Sequence, residues 1–569
     1  MRVRRLAVLV FALALGSCRP PASPEQWDAN VRRFLDGYFR ANPTFAVYQG
    51  RHEYDGKFPD WSVRGIEREI ARLHTELDRA TAFDTTSLDE GRRFQRTYLL
   101  AVIDRDLFWL DEARWPLRNP AYYGDLLDPN VYVTRPYAPL PERMRALTTW
   151  ATNIPAALAQ IRTTLRTPMP RPYVNIGHIR FGGVASYLEH DVPRVFASVQ
   201  DSALKAGLGR ALVAAAGAFR TMDAWFDTLA ATATDSFAMG SGLYRRMLWM
   251  TERVDVPLDT LEAIGRTDLE RNLGALREAC ATFARHATPV QCMDRMSAHK
   301  PSGSAVEAAR EQLDGLEGFI REKDLVTIPG TERAQVMESP PYQRWNFAYI
   351  DVPGPYERGL PSVYYIAPPD SSWSPEERAA YVPGVADILF TSAHEVWPGH
   401  FLQFLHANRS PDLFGRVFVG YAFAEGWAHY GEEMMWEAGL GNGAAETHIG
   451  QISNALLRDA RFLSSLGMHT RGMTLAQSEA LFRDEALQDG ATARQQAARG
   501  TFDPAYLNYT LGKLMIRQLR EDWTASHGGR EGWKQFHDRF LSYGGPPIPL
   551  VRRAMLGPQA GAALRVPTP

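Results

Sequence analysis

Two histidines and a glutamate in the segment TSAHEVWPGHFLQF (391–404) are of the residue types that bind and use a catalytic zinc. Zinc peptidases with an H-E-x-x-H helix carry two histidine ligands one helical turn apart and a glutamate that acts as general base. Here His400 follows His394 by six residues, and Glu395 is the neighbouring glutamate. Six residues of ideal helix leave the two imidazoles about 120° apart in projection. An unbroken helix would therefore not bring both histidines to one metal ion.

The two residues before His400 can correct this angle. Pro398 has no N–H to donate to the carbonyl of His394, and its ring clashes with that carbonyl in a continuous helix. Gly399 tolerates backbone conformations that other residues avoid. The pair therefore predicts a bulge or break that absorbs the two extra residues and turns His400 toward the face of His394.

A third protein ligand is expected from a nearby helix, because a hydrolytic zinc usually takes three protein ligands and leaves a position for water. The segment AFAEGWAHYGEE places Glu425, His429 and either Glu432 or Glu433 on one helical stripe. Glu425 is the predicted third ligand to Zn²⁺, and Glu432 or Glu433 is the alternative. His429 is predicted to lie behind the ligands or to contact substrate. Glu395 is predicted to be the general base for a water on the metal.

Helices must position this site, because helix-forming segments dominate the chain. Apolar and aromatic residues recur at helical spacing in many long segments, among them 24–43, 65–80, 203–233 and 258–286. Many long amphipathic helices with short breaks predict a mostly α-helical body.

A small β-sheet is predicted directly upstream of the metal motif. Between about Asp324 and Ser374, β-type runs alternate with turns rich in proline and glycine. The run SVYYIAPP (362–369) is predicted to be an edge strand, to which a peptide backbone could pair by strand addition. The alternative is that this strand serves packing only.

The N-terminus predicts a lipoprotein signal peptide over residues 1–17. Arginines precede a ten-residue apolar run, which is too short to span a bilayer because about 20 apolar residues are needed. The ending LGSC resembles a bacterial lipobox, which implies cleavage before Cys18 and lipid attachment to its sulfur. Cleavage nearby by ordinary signal peptidase is the alternative. Residues 18–24 are then a tether and residues 25–569 one domain, anchored by lipid to the bacterial outer membrane and facing the periplasm.

Two cysteines remain in the mature chain, Cys280 and Cys292. In an oxidising compartment such a pair usually bridges, so a structural disulfide is predicted, with two separate buried thiols as the alternative. The net charge is −2, and no block of lysine and arginine is present. Nucleic acid is therefore not an expected partner.

Three segments carry a resemblance to a known family: HEVWPGHFLQ (394–403), EGWAHYGE (425–432) and NYTLGKLMIRQLR (508–520). They resemble the bacterial proteins catalogued as domain of unknown function 885, which are similar to helical zinc peptidases of the thimet-oligopeptidase and carboxypeptidase-Taq kind. The resemblance implies a mostly α-helical, two-lobed body with a deep cleft and zinc at its floor.

Roles for individual residues follow from the same resemblance. His394, His400 and Glu425 look like the metal ligands, and Glu395 looks like the catalytic base. Such peptidases use a tyrosine or histidine from a later helix to stabilise the oxyanion of the tetrahedral intermediate.

Tyr509 and His469 match family positions and are the candidates for that oxyanion role. A core aromatic on an amphipathic helix is the alternative for Tyr509. The family often has a Pro-Gly-Gln-Ala run before this tyrosine, where this chain has DPAYLNY. That departure leaves Tyr506 as a rival.

Three functions are consistent with these features. The first is a zinc metallopeptidase that cleaves peptides at the cell envelope. The second is a zinc hydrolase of another amide, and the third is a non-catalytic binding lipoprotein that retains the fold. Glu395 argues against the third, because a binding protein has no use for a base beside its metal.

Overall fold

The computed structural model describes residues 23–340, 343–344, 346–371 and 373–565, which form a mostly α-helical body with one small sheet. The predicted fold class is confirmed. The predicted signal peptide, its lipidation residue Cys18 and most of the predicted tether lie outside these residues. No helix within them is both long and apolar enough to cross a bilayer.

The N-terminal helices begin at capping residues that the sequence supplies. Ser23 and Gln26 form a capping box at the start of the first helix, and Pro24 takes its first position. Trp27 and Val31 begin its buried stripe, which packs against the next helices. The helices of this region are α1 (Pro24–Ala41), α2 (Pro43–Tyr48), α3 (Val63–Thr81), α4 (Glu90–Leu107), α5 (Trp115–Arg118), α6 (Ala121–Gly124) and α7 (Asn130–Thr134).

The next helices form a second lobe with an apolar core of its own. Trp150, Phe181 and Phe219 are buried in that core, one from each of its three long helices. The helices of this lobe are α8 (Leu140–Thr164), α9 (Arg171–His190), α10 (Val192–Val195) and α11 (Ser202–Leu229).

A disulfide lies between two helices of the main body. Cys280 near the end of one helix is bonded to Cys292 in the next, which is the predicted pairing. The helices of this part are α12 (Ser241–Glu252), α13 (Leu258–Phe283), α14 (Pro289–Ser297) and α15 (Ala305–Glu322).

The small sheet follows, and its strand order differs from the prediction. Its strands are β1 (Ala334–Glu338), β2 (Ala348–Asp351) and β3 (Ser362–Ile366), in the order β1-β3-β2. β3 pairs parallel with β1 and antiparallel with β2. The predicted edge strand is therefore central, and its backbone is already paired on both sides. Tyr364, Tyr365 and Ile366 of this strand are all buried.

The helices after the sheet contain the residues of the predicted metal site. They are α16 (Pro375–Tyr381), α17 (Val385–Glu395), α18 (His400–Ala407), α19 (Leu413–Val417), α20 (Tyr421–Glu437), α21 (Ala445–Thr470), α22 (Leu475–Ala480), α23 (Gly490–Phe502), α24 (Asn508–Thr524), α25 (Trp533–Ser542) and α26 (Ile548–Leu556). α21 is buried along most of its length, and α13, α17 and α20 pack around it in the largest apolar core.

Glycines set the close packing of α20 against α24. A Cβ placed on Gly426 would lie 2.4 Å from the Cα of Gly512, and one placed on Gly512 would lie 2.1 Å from the carbonyl oxygen of Ala422. The two backbones are therefore in contact. This contact brings the start of α24 beside the start of α20, where Glu425 lies.

Candidate metal centre

The helix that carries His394 ends one residue later, and a new helix begins at His400. The peptide bond before Pro398 is cis. Gly399 donates its N–H to the carbonyl of Ala393 at 2.9 Å, and a Cβ at this position would lie 1.7 Å from the carbonyl oxygen of His394. Only glycine fits there, so the link between the two helices depends on it. The break that the sequence predicts is present.

The break brings the three predicted ligands together. Glu425 Oε2 lies 3.3 Å from Nε2 of His394 and 3.3 Å from Nε2 of His400. One donor atom from each residue lies within 4.8 Å of the others, and no second cluster of three potential ligands occurs among the described residues. Two ligands about 2.0–2.1 Å from a tetrahedral zinc are themselves about 3.3 Å apart. The two separations from Glu425 therefore match those around a zinc ion with two nitrogen ligands and one oxygen ligand.

Glu432 contacts Nδ1 of His394, the ring nitrogen that is not directed at Glu425. Its Oε1 lies 2.7 Å from Nδ1 of His394 and 3.2 Å from the guanidinium of Arg458, and its side chain is fully buried. A carboxylate that accepts the Nδ1 proton leaves Nε2 free to bind a metal and fixes the ring orientation. Glu432, the alternative third ligand, is therefore a partner of His394.

His429 and Glu433 lie deeper in the protein than the ligands. The His429 side chain has no exposed surface, and its Nδ1 lies 3.6 Å from Oε2 of Glu432. Burial and the nearby Lys513 lower the pKa of His429 to about 4, so the ring is neutral at neutral pH. Glu433 pairs with Arg271 and Lys513. His429 thus lies on the buried side of the ligands, where substrate does not contact it. Glu433 pairs with cations and not with the ligands.

The charges around His394 favour a cation at the cluster. Burial and Arg458 favour the neutral imidazole, but the carboxylates of Glu425 and Glu432 outweigh them and raise the pKa of His394 to about 9. Burial also opposes the charged form of Glu425, yet His400 and His394 hold the pKa of its carboxyl well below the usual range. A proton therefore occupies the cluster near neutral pH when nothing else does, and a metal ion would replace it.

Glu395 lies beside the ligands without being one of them. Its side chain is buried, and burial raises the pKa of its carboxyl although His400 and His394 oppose the rise. Tyr364 of the central strand lies near Glu395. Burial raises the pKa of Tyr364, and the negative charge of Glu395 raises it further. A carboxylate with a raised pKa is a better proton acceptor than an exposed one, which suits a general base.

Tyr509 stands at the first turn of α24 against the metal cluster. Its ring stacks near that of His394, with centroids 6.1 Å apart. Its hydroxyl lies 3.5 Å from Arg499 Nη2, which donates to it, and Cζ of Arg461 lies 4.6 Å from the ring centre. Burial and Glu425 raise the pKa of Tyr509, so its hydroxyl keeps its proton and can donate it in a hydrogen bond.

The other two oxyanion candidates do not reach the cluster. His469 is eleven residues beyond Arg458 on α21, about 16 Å along a helix. Its two ring nitrogens contact backbone, Nδ1 accepting from Met239 and Nε2 donating to Gly500. Tyr506 is fully buried, and its hydroxyl donates to Ser464. The contacts of these two side chains hold helices together within the protein, so the structure does not bring either of them to the cluster.

A cavity of about 890 Å³ lies near Tyr509, and its lining among the described residues includes none of the predicted metal ligands. Trp61, Trp109 and Trp115 line it on the side of the N-terminal helices, and Tyr421 and Arg499 line it on the side of the main body. The last two side chains also contact Tyr509. Tyr421 or Arg499, and then Tyr509, therefore lie between the cavity and His394.

The arginines around Tyr509 were not identified from the sequence. Arg458 and Arg461 come from α21 and Arg499 from α23, and the guanidinium carbon of each lies within 5.9 Å of the Tyr509 ring centre. A local signal existed, because two arginines three residues apart interrupt an apolar helix in ALLRDARFL. Which tyrosine they surround depends on the packing of three helices.

Comparisons with known proteins relate the chain to bacterial proteins without an assigned function. A family model described as "Bacterial protein of unknown function (DUF885)" matches residues 43–555. No curated protein matches the chain.

Two solved structures are similar to this fold. One is a "putative lipoprotein of unknown function" from Shewanella oneidensis, with 24% identity, coverage of 93% of this chain and 99% of that chain, and a TM-score of 0.75. The other is a "putative lipoprotein" from Colwellia psychrerythraea, with 16% identity, coverage of 94% and 99%, and a TM-score of 0.79. At these identities the likeness shows the fold alone.

Proposed function

The chain belongs to the DUF885 family of bacterial proteins of unknown function, and we propose that it is a zinc-dependent hydrolase, a peptidase that cleaves peptides at the bacterial cell envelope. The convergence of His394, His400 and Glu425 carries the proposal. Two imidazoles and a carboxylate, with one position left open, form a ligand set used by hydrolytic zinc sites. The buried Glu395 beside them favours an enzyme over a binding protein.

The residues around the cluster divide the chemistry between them. A Zn²⁺ ion held by the three ligands would supply Lewis-acid polarisation of a carbonyl group and a lowered pKa for a water. Glu395 would accept a proton from the attacking water and deliver it to the leaving amine. Glu432, which contacts Nδ1 of His394, would keep that imidazole oriented.

Tyr509 is the proposed donor to the oxyanion of the tetrahedral intermediate. Its ring lies beside His394, and its hydroxyl accepts from Arg499 Nη2. A hydroxyl that accepts one hydrogen bond becomes a stronger donor in the next, because the two bonds polarise each other. Donors placed where negative charge develops are worth about 10²–10³-fold in rate.

The location at the envelope is part of the proposal. The LGSC segment supports lipid attachment at Cys18, and both similar structures are described with the words "putative lipoprotein". We expect radiolabelled palmitate to enter the wild-type protein and not a Cys18→Ala variant. Equal labelling of the two would refute the anchor.

The decisive experiment for the enzyme is hydrolysis of a mixed-peptide pool by the mature protein and by a Glu395→Gln variant. We expect about one zinc per chain in both by mass spectrometry, because Glu395 is not a ligand. The amide cannot accept the water's proton, so we expect the variant to lose ~10²–10⁴-fold in rate. An exposed glutamate remote from the cluster, changed as Glu531→Gln, serves as the control.

Each other outcome has a definite meaning. Equal hydrolysis by wild type and Glu395→Gln at equal zinc content would contradict the mechanism. Turnover of other amides but of no peptide would favour the hydrolase of a non-peptide amide. A complete absence of turnover by the zinc-loaded wild type would favour the binding lipoprotein.

A further inference from the structure

Arg461 is a buried cation that pairs with no acidic side chain in the part of the chain that the structure describes. Its exposed fraction is 6%. Its Nε donates to Gln496 Oε1 at 2.8 Å, and no carboxylate of the described residues forms an ion pair with it. A buried charge that lacks an opposite charge is costly, so such groups are normally paired.

The neighbouring arginines are paired, which makes Arg461 the exception. Arg458 contacts the carboxylate of Glu432 at 3.2 Å, and Arg499 contacts that of Asp503 at 3.0 Å. Three guanidinium groups around one tyrosine thus have two carboxylates between them. Burial and repulsion by Arg499 lower the pKa of Arg461 to about 10, which leaves it charged at neutral pH. Of the three arginines, Arg461 is therefore the one that no carboxylate of the described residues contacts.

Arg461 lies close to the metal cluster. Its guanidinium carbon lies 4.6 Å from the centre of the Tyr509 ring, and that ring stacks near His394. Arg499, which also contacts Tyr509, lines the large cavity. One extended residue spans at most about 3.6 Å. The distances from the His394 ring to the Tyr509 ring and from that ring to Arg461 together come to at most about 11 Å, so a peptide bound at the cluster could reach Arg461 with a group up to about three residues from the bond that is cut.

We propose that Arg461 binds a carboxylate of the substrate and so selects substrates that carry one close to the cleaved bond. The proposal rests on the proposed function, since it assumes that substrate binds at the metal cluster. Because Arg461 Nε donates to Gln496, the two terminal nitrogens are left to donate to both oxygens of a carboxylate. The carboxylate is either the free carboxyl end of a peptide or an aspartate or glutamate side chain.

Two matched pairs of peptides distinguish these sources. The first pair is acetylated pentaalanine with a free carboxyl end and the same peptide as its amide. The second pair is amidated acetyl-Ala-Ala-Glu-Ala-Ala and its counterpart with Gln in place of Glu. Binding is measured by calorimetry with the zinc-loaded Glu395→Gln variant, so that hydrolysis does not interfere. Hydrolysis of the same peptides is measured with the wild type.

We expect one pair to show a preference of roughly 10- to 100-fold for its carboxylate member, as for a hydrogen bond to a charged group. Adding Arg461→Gln should remove that preference and leave binding of the neutral peptides unchanged. An Arg483→Gln control, at an exposed arginine paired with Asp484, should keep the preference. The proposal is overturned if neither pair shows a preference, or if the preference survives Arg461→Gln.

Two further results are possible: the variant does not fold, or the wild type hydrolyses none of the peptides. If Arg461→Gln does not fold by circular dichroism, Arg461→Lys replaces it; a lysine should retain a reduced preference, and full retention would contradict bidentate binding. If the zinc-loaded wild type hydrolyses none of the four peptides, these data give the proposed peptidase no support. A carboxylate preference in binding that depends on Arg461 would still support the carboxylate site on its own.

Discussion

At the scale of single residues, the site depends on two kinds of position: those that touch the cluster and those that let the chain reach it. His394, His400 and Glu425 could be selected from the sequence, because ligand types at short separation are a local property. Glu432 could be placed on the same helix face, but its contact with Nδ1 of His394 depends on how α20 meets α17. A local pattern identifies candidates, and packing assigns their roles.

Glu432 provides a test of that assignment. A partner behind a histidine ligand typically changes metal affinity by about 10–100-fold when it is lost. We expect Glu432→Gln to weaken zinc binding by that factor, and Glu425→Gln to weaken it more, because the second change removes a ligand. Competition with a chelator of known affinity measures both. A Glu432→Gln protein that binds no zinc would instead indicate that Glu432 is itself a ligand.

Gly399 provides a test of the break between α17 and α18. An added Cβ would collide with the backbone of His394, so Gly399→Ala must displace one of the two histidine-bearing helices. We expect loss of stoichiometric zinc and a lower melting temperature.

The matched control is Gly217→Ala, an exposed helical glycine with nothing within 4 Å of the added atom. That change should stabilise the protein by up to about 1 kcal/mol. Full zinc occupancy in Gly399→Ala would show that the link tolerates a side chain.

At the scale of elements, helix content and the position of the sheet followed from periodicity, whereas strand order did not. SVYYI has the composition of a well-packed strand, and that composition is the same at an edge as in the centre. Only pairing with residues far away in the chain decides the position. The contacts of His469 and Tyr506 could not be predicted for the same reason, since helical phase does not specify which neighbour a buried face meets.

Glu252 ties together the two helices that carry Glu425 and Tyr509. At the end of α12 it is 1% exposed, and its Oε1 accepts from the backbone N–H of Ala422 and from Asn508 Nδ2, both at 3.3 Å. The N-termini of α20 and α24 stabilise a nearby anion and so favour the ionised carboxylate of Glu252. Burial outweighs this effect and raises the pKa of Glu252 to about 7. Its contribution to stability is therefore complete below its unfolded pKa of about 4.3 and is lost as the pH rises through 7.

A Glu252→Gln variant isolates this effect, because glutamine stays neutral. We expect the free energy of unfolding of the wild type, relative to the variant, to fall by a few kcal/mol between pH 4.5 and pH 8, at about 1.4 kcal/mol per unit of pKa difference. Denaturant unfolding of both proteins in chelator measures the difference. A difference that does not change with pH would show that Glu252 does not titrate in this range.

At the scale of the whole molecule, the candidate site lies where separate packing units meet. Its ligands come from the main body, while the tryptophans of the adjoining cavity come from the N-terminal helices. The sequence predicted one domain over residues 25–569. It did not predict which helices would pack into which apolar core.

Because α8, α9 and α11 have an apolar core of their own, zinc should change the thermal stability of the second lobe less than that of the main body. A ligand that binds the native state stabilises the cooperative unit that contains its site, in proportion to the logarithm of its concentration. The second lobe supplies none of the three metal ligands. Zinc should therefore raise the melting temperature of the main body and leave that of the second lobe nearly fixed, which scanning calorimetry would record as two transitions that move apart as zinc is added. A single transition that moves as one would show that the two cores melt as a unit.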